Sequence, residues 1–170
     1  MEASITDVKK GTKGDPGELH GAFNTSQDMG SLWANTEGGV FGTLEGKELT
    51  KGLTPVEVAA PGEVQVGPAT ILSNIAGEDV EEYTVEITKV YLADDGDTRD
   101  LMLTVTDPRL LDSTGGIVQG MSGSPILQNG KLAGAVTHVL VNDPTCGYGI
   151  FLENMFRCGQ AAEGGNLSET

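Results

Sequence analysis

Short apolar stretches separated by turns run through most of this sequence, and this pattern most constrains its fold. The turns contain glycine, proline or asparagine, and the 170 residues include 25 glycines. The strongest turn signal is Asn129-Gly130, which lies between the apolar runs 124–128 and 131–141 and is typical of a two-residue β-hairpin turn. Many short strands joined by glycine turns predict an all-β barrel or sandwich.

Alternation of apolar and polar residues predicts the individual strands. The clearest case places Tyr83, Val85 and Ile87 on one face of a strand, and residues 101–105 return as its hairpin partner across an acidic turn. Further strands are predicted for residues 3–8, 40–44, 53–59, 63–75 and 148–152. Residues 153–162 form the only predicted helix. We expect one domain over residues 1–162, followed by a polar tail over residues 163–170.

Charge and composition exclude several classes of function. The formal net charge of −15 argues against binding to nucleic acid or to anionic lipid headgroups, since both require a basic surface. No stretch approaches the roughly 18 apolar residues of a membrane span. Cys146 and Cys158 are not spaced like zinc ligands and are expected to be free thiols, with one disulfide between them as the alternative. The acidic turn at 94–100 lacks the spacing of a calcium loop, so neither a metal nor a cofactor is predicted.

The most informative segment for function is Gly-Met-Ser-Gly-Ser-Pro at residues 120–125. Chymotrypsin-like serine proteases have the form Gly-x-Ser-Gly-x-Pro around the nucleophile. The glycines allow a sharp turn that leaves the N–H groups of Gly120 and Ser122 pointing into one cavity, where they can stabilise an oxyanion. From these six residues alone, a plain loop at the entry to a hairpin is the alternative. The α/β-hydrolase elbow Gly-x-Ser-x-Gly does not match, because residue 124 is serine.

A longer stretch around this hexapeptide closely resembles the SpoIVB peptidase family of spore-forming Firmicutes. The resemblance lies in residues 115–126, 128–131, 134–139, 141–144 and 147–150, and upstream in Gly-Asp-Pro-Gly-Glu at 14–18 and Gly-Val-Phe-Gly at 39–42. It covers nearly the whole chain, from about residue 5 to about residue 155. It implies a chymotrypsin-like double β-barrel, incomplete in its N-terminal barrel, with a short C-terminal helix.

The resemblance also implies catalytic residues in the order His, Asp, Ser. Ser122 matches the family nucleophile, and Asp107 in Val-Thr-Asp-Pro matches the catalytic aspartate, which would orient the histidine and stabilise its imidazolium. The alternative for Asp107 is a turn residue before Pro108. In the same fold, the strand after the nucleophile hairpin lines the P1 pocket, so His138 and Asn142 are predicted to bind substrate.

The family histidine lies in a Gly-His-Gly segment that this sequence does not contain. The two histidines present are His20, expected on the surface, and His138, expected as a packed strand residue or part of the substrate cleft. The family also has a membrane anchor and a PDZ domain before the peptidase domain. We therefore expect a piece of a longer serine endopeptidase, with the general base upstream and little activity by itself.

By resemblance, such proteases cleave a regulatory membrane protein of the sporulation signalling cascade. They act outside the mother-cell cytoplasm, in the space between the mother-cell and forespore membranes. The alternative function is a catalytically silent β-barrel that binds peptides. The two readings differ in whether the parent protein supplies the histidine.

Overall fold

The computed structural model describes residues 2–26, 28–45, 51–92 and 98–166. These residues form mostly β structure with two α-helices. The strands are β1 (Glu2–Lys9), β2 (Glu18–Asn24), β3 (Gly30–Thr36), β4 (Gly39–Leu44), β5 (Gly67–Ser73), β6 (Glu81–Val90), β7 (Leu101–Val105), β8 (Pro125–Gln128), β9 (Lys131–Leu140) and β10 (Asp143–Phe151), and the helices are α1 (Pro108–Thr114) and α2 (Leu152–Asn166).

The last six strands close into an antiparallel barrel in the order β10-β7-β6-β5-β8-β9. In the middle of β6 and along β7 every second side chain is buried, because successive residues of a strand point to opposite faces. The alternation predicted for Tyr83, Val85 and Ile87 is confirmed, and all three are at most 2% exposed. The barrel interior also contains Ile71, Leu101, Leu103, Ile126 and Phe151.

The turn predicted at Asn129-Gly130 joins β8 to β9. Both residues have positive φ angles, 53° and 77°, as a two-residue hairpin turn matching the right-handed strand twist requires. Asparagine and glycine are the residues that adopt this conformation at least cost. The hairpin matters for the site because β9 follows it directly and passes beside Ser122.

Two separate hairpins, β1–β2 and β3–β4, precede the barrel. Strands β2 and β3 were not predicted, because most of their side chains are exposed on both faces and no apolar alternation results. The prediction of a strand at residues 53–59 is wrong. That segment forms only an isolated bridge between Val58 and Leu132, and Leu53, Val56 and Val58 are exposed.

Helix α2 spans residues 152–166, longer than the predicted 153–162, and packs against β3, β4, β9 and β10. Glycines allow its close approach to the β3–β4 hairpin. A Cβ on Gly38 would lie 2.6 Å from Cys158 Sγ, and one on Gly159 would lie 2.6 Å from the Phe41 ring. Both cysteines are free thiols. Among the described residues, neither helix has the length and apolar character needed to cross a membrane.

A buried carboxylate links the barrel to α2. Asp100, only 3% exposed, accepts hydrogen bonds from Phe151 N–H at 2.7 Å and from Asn154 Nδ2 at 2.9 Å. These contacts hold the end of β10 and the first turn of α2 beside the start of β7. A carboxylate that accepts such bonds contributes more than a neutral acceptor, and its loss leaves buried donors unsatisfied.

We expect Asp100→Ala to lower the free energy of unfolding by about 2–4 kcal/mol because two donors lose a charged acceptor. Urea denaturation at pH 7 measures this difference. The matched control is Asp79→Ala, an exposed aspartate between β5 and β6, which should change stability by less than about 0.5 kcal/mol. Equal effects in the two variants would contradict the structural role of Asp100.

Candidate active site

The loop that carries Ser122 connects α1 to β8 and is anchored by a buried methionine. Met121 is 1% exposed, and its N–H donates to Val118 O at 3.2 Å. Val118 N–H in turn contacts Met121 Sδ at 3.5 Å. With Met121 held inside, its neighbours Gly120 and Ser122 face solvent. Gly120 and Gly123 have φ angles of +97° and +90°, which side chains disfavour, so the loop needs glycine on both sides of the serine.

Ser122 is tied to strand β9 through backbone atoms. Its Oγ donates a hydrogen bond to Thr137 O at 3.0 Å. Nearby, Gly123 N–H donates to Val136 O at 2.8 Å, and Val136 N–H donates to Ser124 O at 2.9 Å. The pairing of β9 with β10 skips Thr137, since Gly149 pairs with Val136 and Tyr148 with His138. Thr137 is thus the extra residue of a β-bulge, a feature that often re-aims groups next to active sites.

The N–H groups predicted to form an oxyanion hole are available. Within the part of the chain that the structure describes, neither Gly120 N–H nor Ser122 N–H donates a hydrogen bond. Unpaired N–H groups on both sides of a buried residue are what an oxyanion would need as donors. The role itself stays a prediction.

Two clefts meet at Ser122. The first, which we call the hairpin cleft, has a volume of about 350 Å³ and lies between the turn of the β3–β4 hairpin and β9. The second, the loop cleft, has a volume of about 270 Å³ and is mostly apolar. Its walls are Pro16, Ile117, Val118, Gln119, Val136, Val139 and Val141. Ser122, Thr137 and His138 line both clefts.

The predicted substrate residues are placed differently. His138 is exposed on β9 next to Thr137 and borders both clefts, whereas Asn142 lines neither, although its neighbour Val141 lines the loop cleft. His20 is exposed on β2 and also lines neither cleft. Substrate binding by His138 and Asn142 stays a prediction, and the geometry supports it better for His138.

Asp107 caps helix α1. The residue is 4% exposed, and its carboxylate accepts four hydrogen bonds, from Arg109 N (2.9 Å), Arg109 Nε (3.1 Å), Arg109 Nη2 (3.0 Å) and Thr84 N (3.2 Å). The hydrogen bonds from the Arg109 side chain are the main cause that lowers the pKa of Asp107 to about 2. Four donors match the roughly four acceptor positions of a carboxylate. Asp107 lines neither cleft, and its contacts are those of the alternative, a turn residue before Pro108.

Sequence reasoning missed Thr137. Its Oγ1 is buried and has no hydrogen-bond partner among the described residues. Unsatisfied buried hydroxyls are rare, so this one distinguishes Thr137 from the other described residues that line the two clefts. The only signal in the sequence is one threonine within the apolar run 132–141. Among the described residues, no three His, Cys, Asp or Glu side chains are grouped as metal ligands would be.

Comparisons with known proteins identify the family and the fold. The family model described as SpoIVB peptidase S55 matches residues 1–156. No curated protein sequence matches significantly. A solved structure that matches is the inactive form of Rv3671c from M. tuberculosis H37Rv, a serine-to-alanine mutant, with 17% identity and a TM-score of 0.50. The match covers 79% of this chain and 63% of that chain. The predicted chymotrypsin-like fold, all-β with a short C-terminal helix, is confirmed.

Removing the Asp107 carboxylate should destabilise the fold in a pH-dependent way. At pH 7, Asp107→Ala should lower the free energy of unfolding by about 1–3 kcal/mol through loss of the cap and of the buried acceptor. Because the folded pKa is lowered from 3.8 to about 2, the contribution is full above the unfolded value and is lost as pH falls towards 2. Urea denaturation from pH 7 to pH 2 measures it. Asp112→Ala, exposed in the same helix, is the control. A pH-independent difference would contradict this assignment.

Thr137→Val should leave the free energy of unfolding unchanged or raise it by up to about 1 kcal/mol, since it removes an unsatisfied hydroxyl at constant shape. The matched control is Thr114→Val. Thr114 is also buried, but its hydroxyl donates to Leu110 O at 2.9 Å, and the valine should cost about 1–3 kcal/mol. Urea denaturation of both variants tests the pair. A similar loss in both would show that Thr137 Oγ1 has a partner.

Proposed function

Because this chain belongs to the SpoIVB peptidase S55 family and is a serine peptidase domain, we propose that it is the endopeptidase domain in which Ser122 attacks the scissile carbonyl. The observation that carries the proposal is the placement of Ser122. Its hydroxyl is exposed where two clefts meet. On the same loop, the N–H groups of Gly120 and Ser122 have no partner among the described residues. A loop that merely entered a hairpin would not need this combination.

The reaction follows from these groups. The general base takes the proton of Ser122 Oγ, the Oγ–C bond forms, and the carbonyl electrons move to oxygen, where Gly120 N–H and Ser122 N–H stabilise the charge. The C–N bond then breaks, and the amine leaves with the proton from the base. Water then attacks the acyl-enzyme. The base takes a proton from the water, the C–Oγ bond breaks, and Ser122 Oγ recovers the proton from the base. In the resting site the hydroxyl proton is held by Thr137 O.

We propose that the base is a histidine outside these 170 residues, as in the family pattern. Two observations support this. Ser122 Oγ donates its hydrogen bond to the Thr137 carbonyl and not to a histidine ring, and His20 lines neither cleft beside Ser122. Without the base, a serine is a weak nucleophile at its own pKa. The chain by itself should therefore react slowly.

The biological substrate is proposed from the family alone. It is a regulatory membrane protein of the sporulation signalling cascade, cleaved in the space between the mother-cell and forespore membranes. Within the site, we propose that the substrate contacts His138 on β9, with Asn142 beyond Val141 at the outer end of the same wall. The charge of −15 gives no support for a nucleic-acid partner.

Fluorophosphonate labelling tests the mechanism. The chain of 170 residues and a chain extended upstream to include the family histidine segment should be compared, each with Ser122→Ala as control. We expect Ser122-dependent labelling of the extended chain and labelling at least about 10²-fold slower for residues 1–170, since general base catalysis contributes about 10²–10⁴-fold. Asp107→Asn in the extended chain tests whether this carboxylate also orients the histidine.

Two outcomes would overturn parts of the proposal. Rapid, Ser122-dependent labelling of residues 1–170 would show that a base exists inside the chain, and His138→Ala should then abolish it. No labelling of either chain, with both folded by circular dichroism, would favour the silent peptide-binding barrel instead.

A further inference from the structure

We propose that the β1–β2 loop (residues 10–17) and the first residues of β2 lock the oxyanion-hole peptide in its reactive orientation, with Leu19 N–H as the locking donor. This inference rests on the proposed function of Ser122 and adds a positioning element far from it in sequence. Leu19 would act through the peptide between Gln119 and Gly120, without touching the substrate's reacting atoms.

The loop is braced internally. Thr12 and Asp15 exchange two backbone hydrogen bonds of 2.7 and 2.9 Å around a tight turn, and Lys9 Nζ lies 2.7 Å from Asp15 Oδ2. Gly17 is buried with a φ of +71°, and a Cβ there would lie 2.4 Å from Lys9 O. A loop held this rigidly can fix the position of the backbone groups that it contacts.

The loop docks on three segments, and two of them contribute residues to the wall of the loop cleft, Gln119 and Val141. Gly11 N–H donates to Thr114 O at the end of α1 (2.7 Å), and Gly14 N–H donates to Val141 O beyond β9 (2.8 Å). Pro16 forms part of the cleft wall. The loop therefore spans from the helix before the nucleophile loop to the strand after it.

The third contact is with the nucleophile loop itself, at Gln119. Both backbone groups of this residue are bonded, since its N–H donates to Gly17 O at 3.2 Å and its carbonyl accepts from Leu19 N–H at 2.8 Å. The result is a short parallel bridge between Glu18 and Gln119. The Leu19 side chain also packs against Gly120, where an added Cβ would lie 3.1 Å from Leu19 Cβ.

One peptide unit connects this bridge to catalysis. The Gln119 carbonyl and the Gly120 N–H belong to the same planar trans peptide, so they point in opposite directions. By holding Gln119 O, Leu19 N–H fixes the direction in which Gly120 N–H points. Gly120 could otherwise rotate easily, because glycine has access to both signs of φ. Loss of the Leu19 donor would free this peptide to flip, and the oxyanion would lose one of its two donors.

The test compares Leu19→Pro with Leu19→Ala. Both remove the leucine side chain, but only proline removes the N–H. The position tolerates proline in principle, because Leu19 N–H bonds to Gln119 rather than to the β1 partner Val8. In the chain extended upstream, without any label, we expect Leu19→Pro to lower kcat for peptide hydrolysis by about 10²–10³-fold with KM little changed, as when one oxyanion donor is removed. Leu19→Ala should stay within about fivefold of the wild type.

NMR of the 170-residue chain gives a readout that does not depend on catalysis. We expect the Gly120 amide resonance to shift in Leu19→Pro relative to Leu19→Ala, because the peptide between Gln119 and Gly120 loses the donor that orients it. If Leu19→Pro does not fold, Gly17→Ala against Gly14→Ala replaces the pair. Both glycines have positive φ, but a Cβ at Gly14 meets nothing within 4 Å, whereas one at Gly17 displaces the loop.

The two proposals fail in different ways. If the extended wild type is never labelled, the peptidase mechanism is wrong, and the Gly120 amide resonance still decides whether Leu19 N–H orients this peptide. If labelling succeeds but Leu19→Pro and Leu19→Ala have equal kcat values, the locking role is overturned. A Gly120 amide resonance that is the same in folded Leu19→Pro and Leu19→Ala would overturn it as well.

Discussion

The register of β9 in the closed barrel is the constraint on which the candidate active site depends. Strand β9 is bonded to β8 on one side and β10 on the other, so an extra residue has to bulge at a defined point. That residue is Thr137, and its carbonyl accepts the hydrogen bond from Ser122 Oγ. Two further bonds between Val136 and the residues after Ser122 hold the loop on the same strand. Backbone groups of a neighbouring strand therefore form the hydrogen bonds that position the nucleophile.

The nucleophile loop is supported from both ends in this way. Strand β9 binds Gly123 and Ser124, which follow the serine in the sequence, and the β1–β2 loop binds Gln119, which precedes it. Between these supports, the buried Met121 side chain fixes the middle of the loop. Such a support tolerates many side-chain changes but depends on backbone conformation, which explains why glycines recur where the segments meet.

Much of the barrel could be predicted from the sequence, because burial on one face of a strand leaves alternation in the residues. The hairpin at Asn129-Gly130 and strand β6 were predicted for this reason. Strands β2 and β3 could not be, because they are exposed on both faces. The apolar residues of segment 53–59 suggested a strand, yet they are solvent-exposed and only Val58 bridges to the barrel.

The site was predictable in its local parts only. Ser122 could be predicted from the hexapeptide around it. The Leu19–Gln119 contact could not, because it joins backbone groups 100 positions apart and a backbone hydrogen bond does not require particular side chains.

The role of Asp107 could not be settled from the sequence either, because its motif is compatible with two different roles. The pair Asp107-Pro108 matches the family motif of the catalytic aspartate. It is equally typical of a helix N-cap followed by proline at the first helical position. The structure shows the cap, with Arg109 and Thr84 supplying four donors to the carboxylate. A histidine N–H could bond to this group only by displacing one of them. The low pKa of Asp107 shows how strongly the present donors favour its charged form, so such a displacement would have to be offset by an equally strong partner.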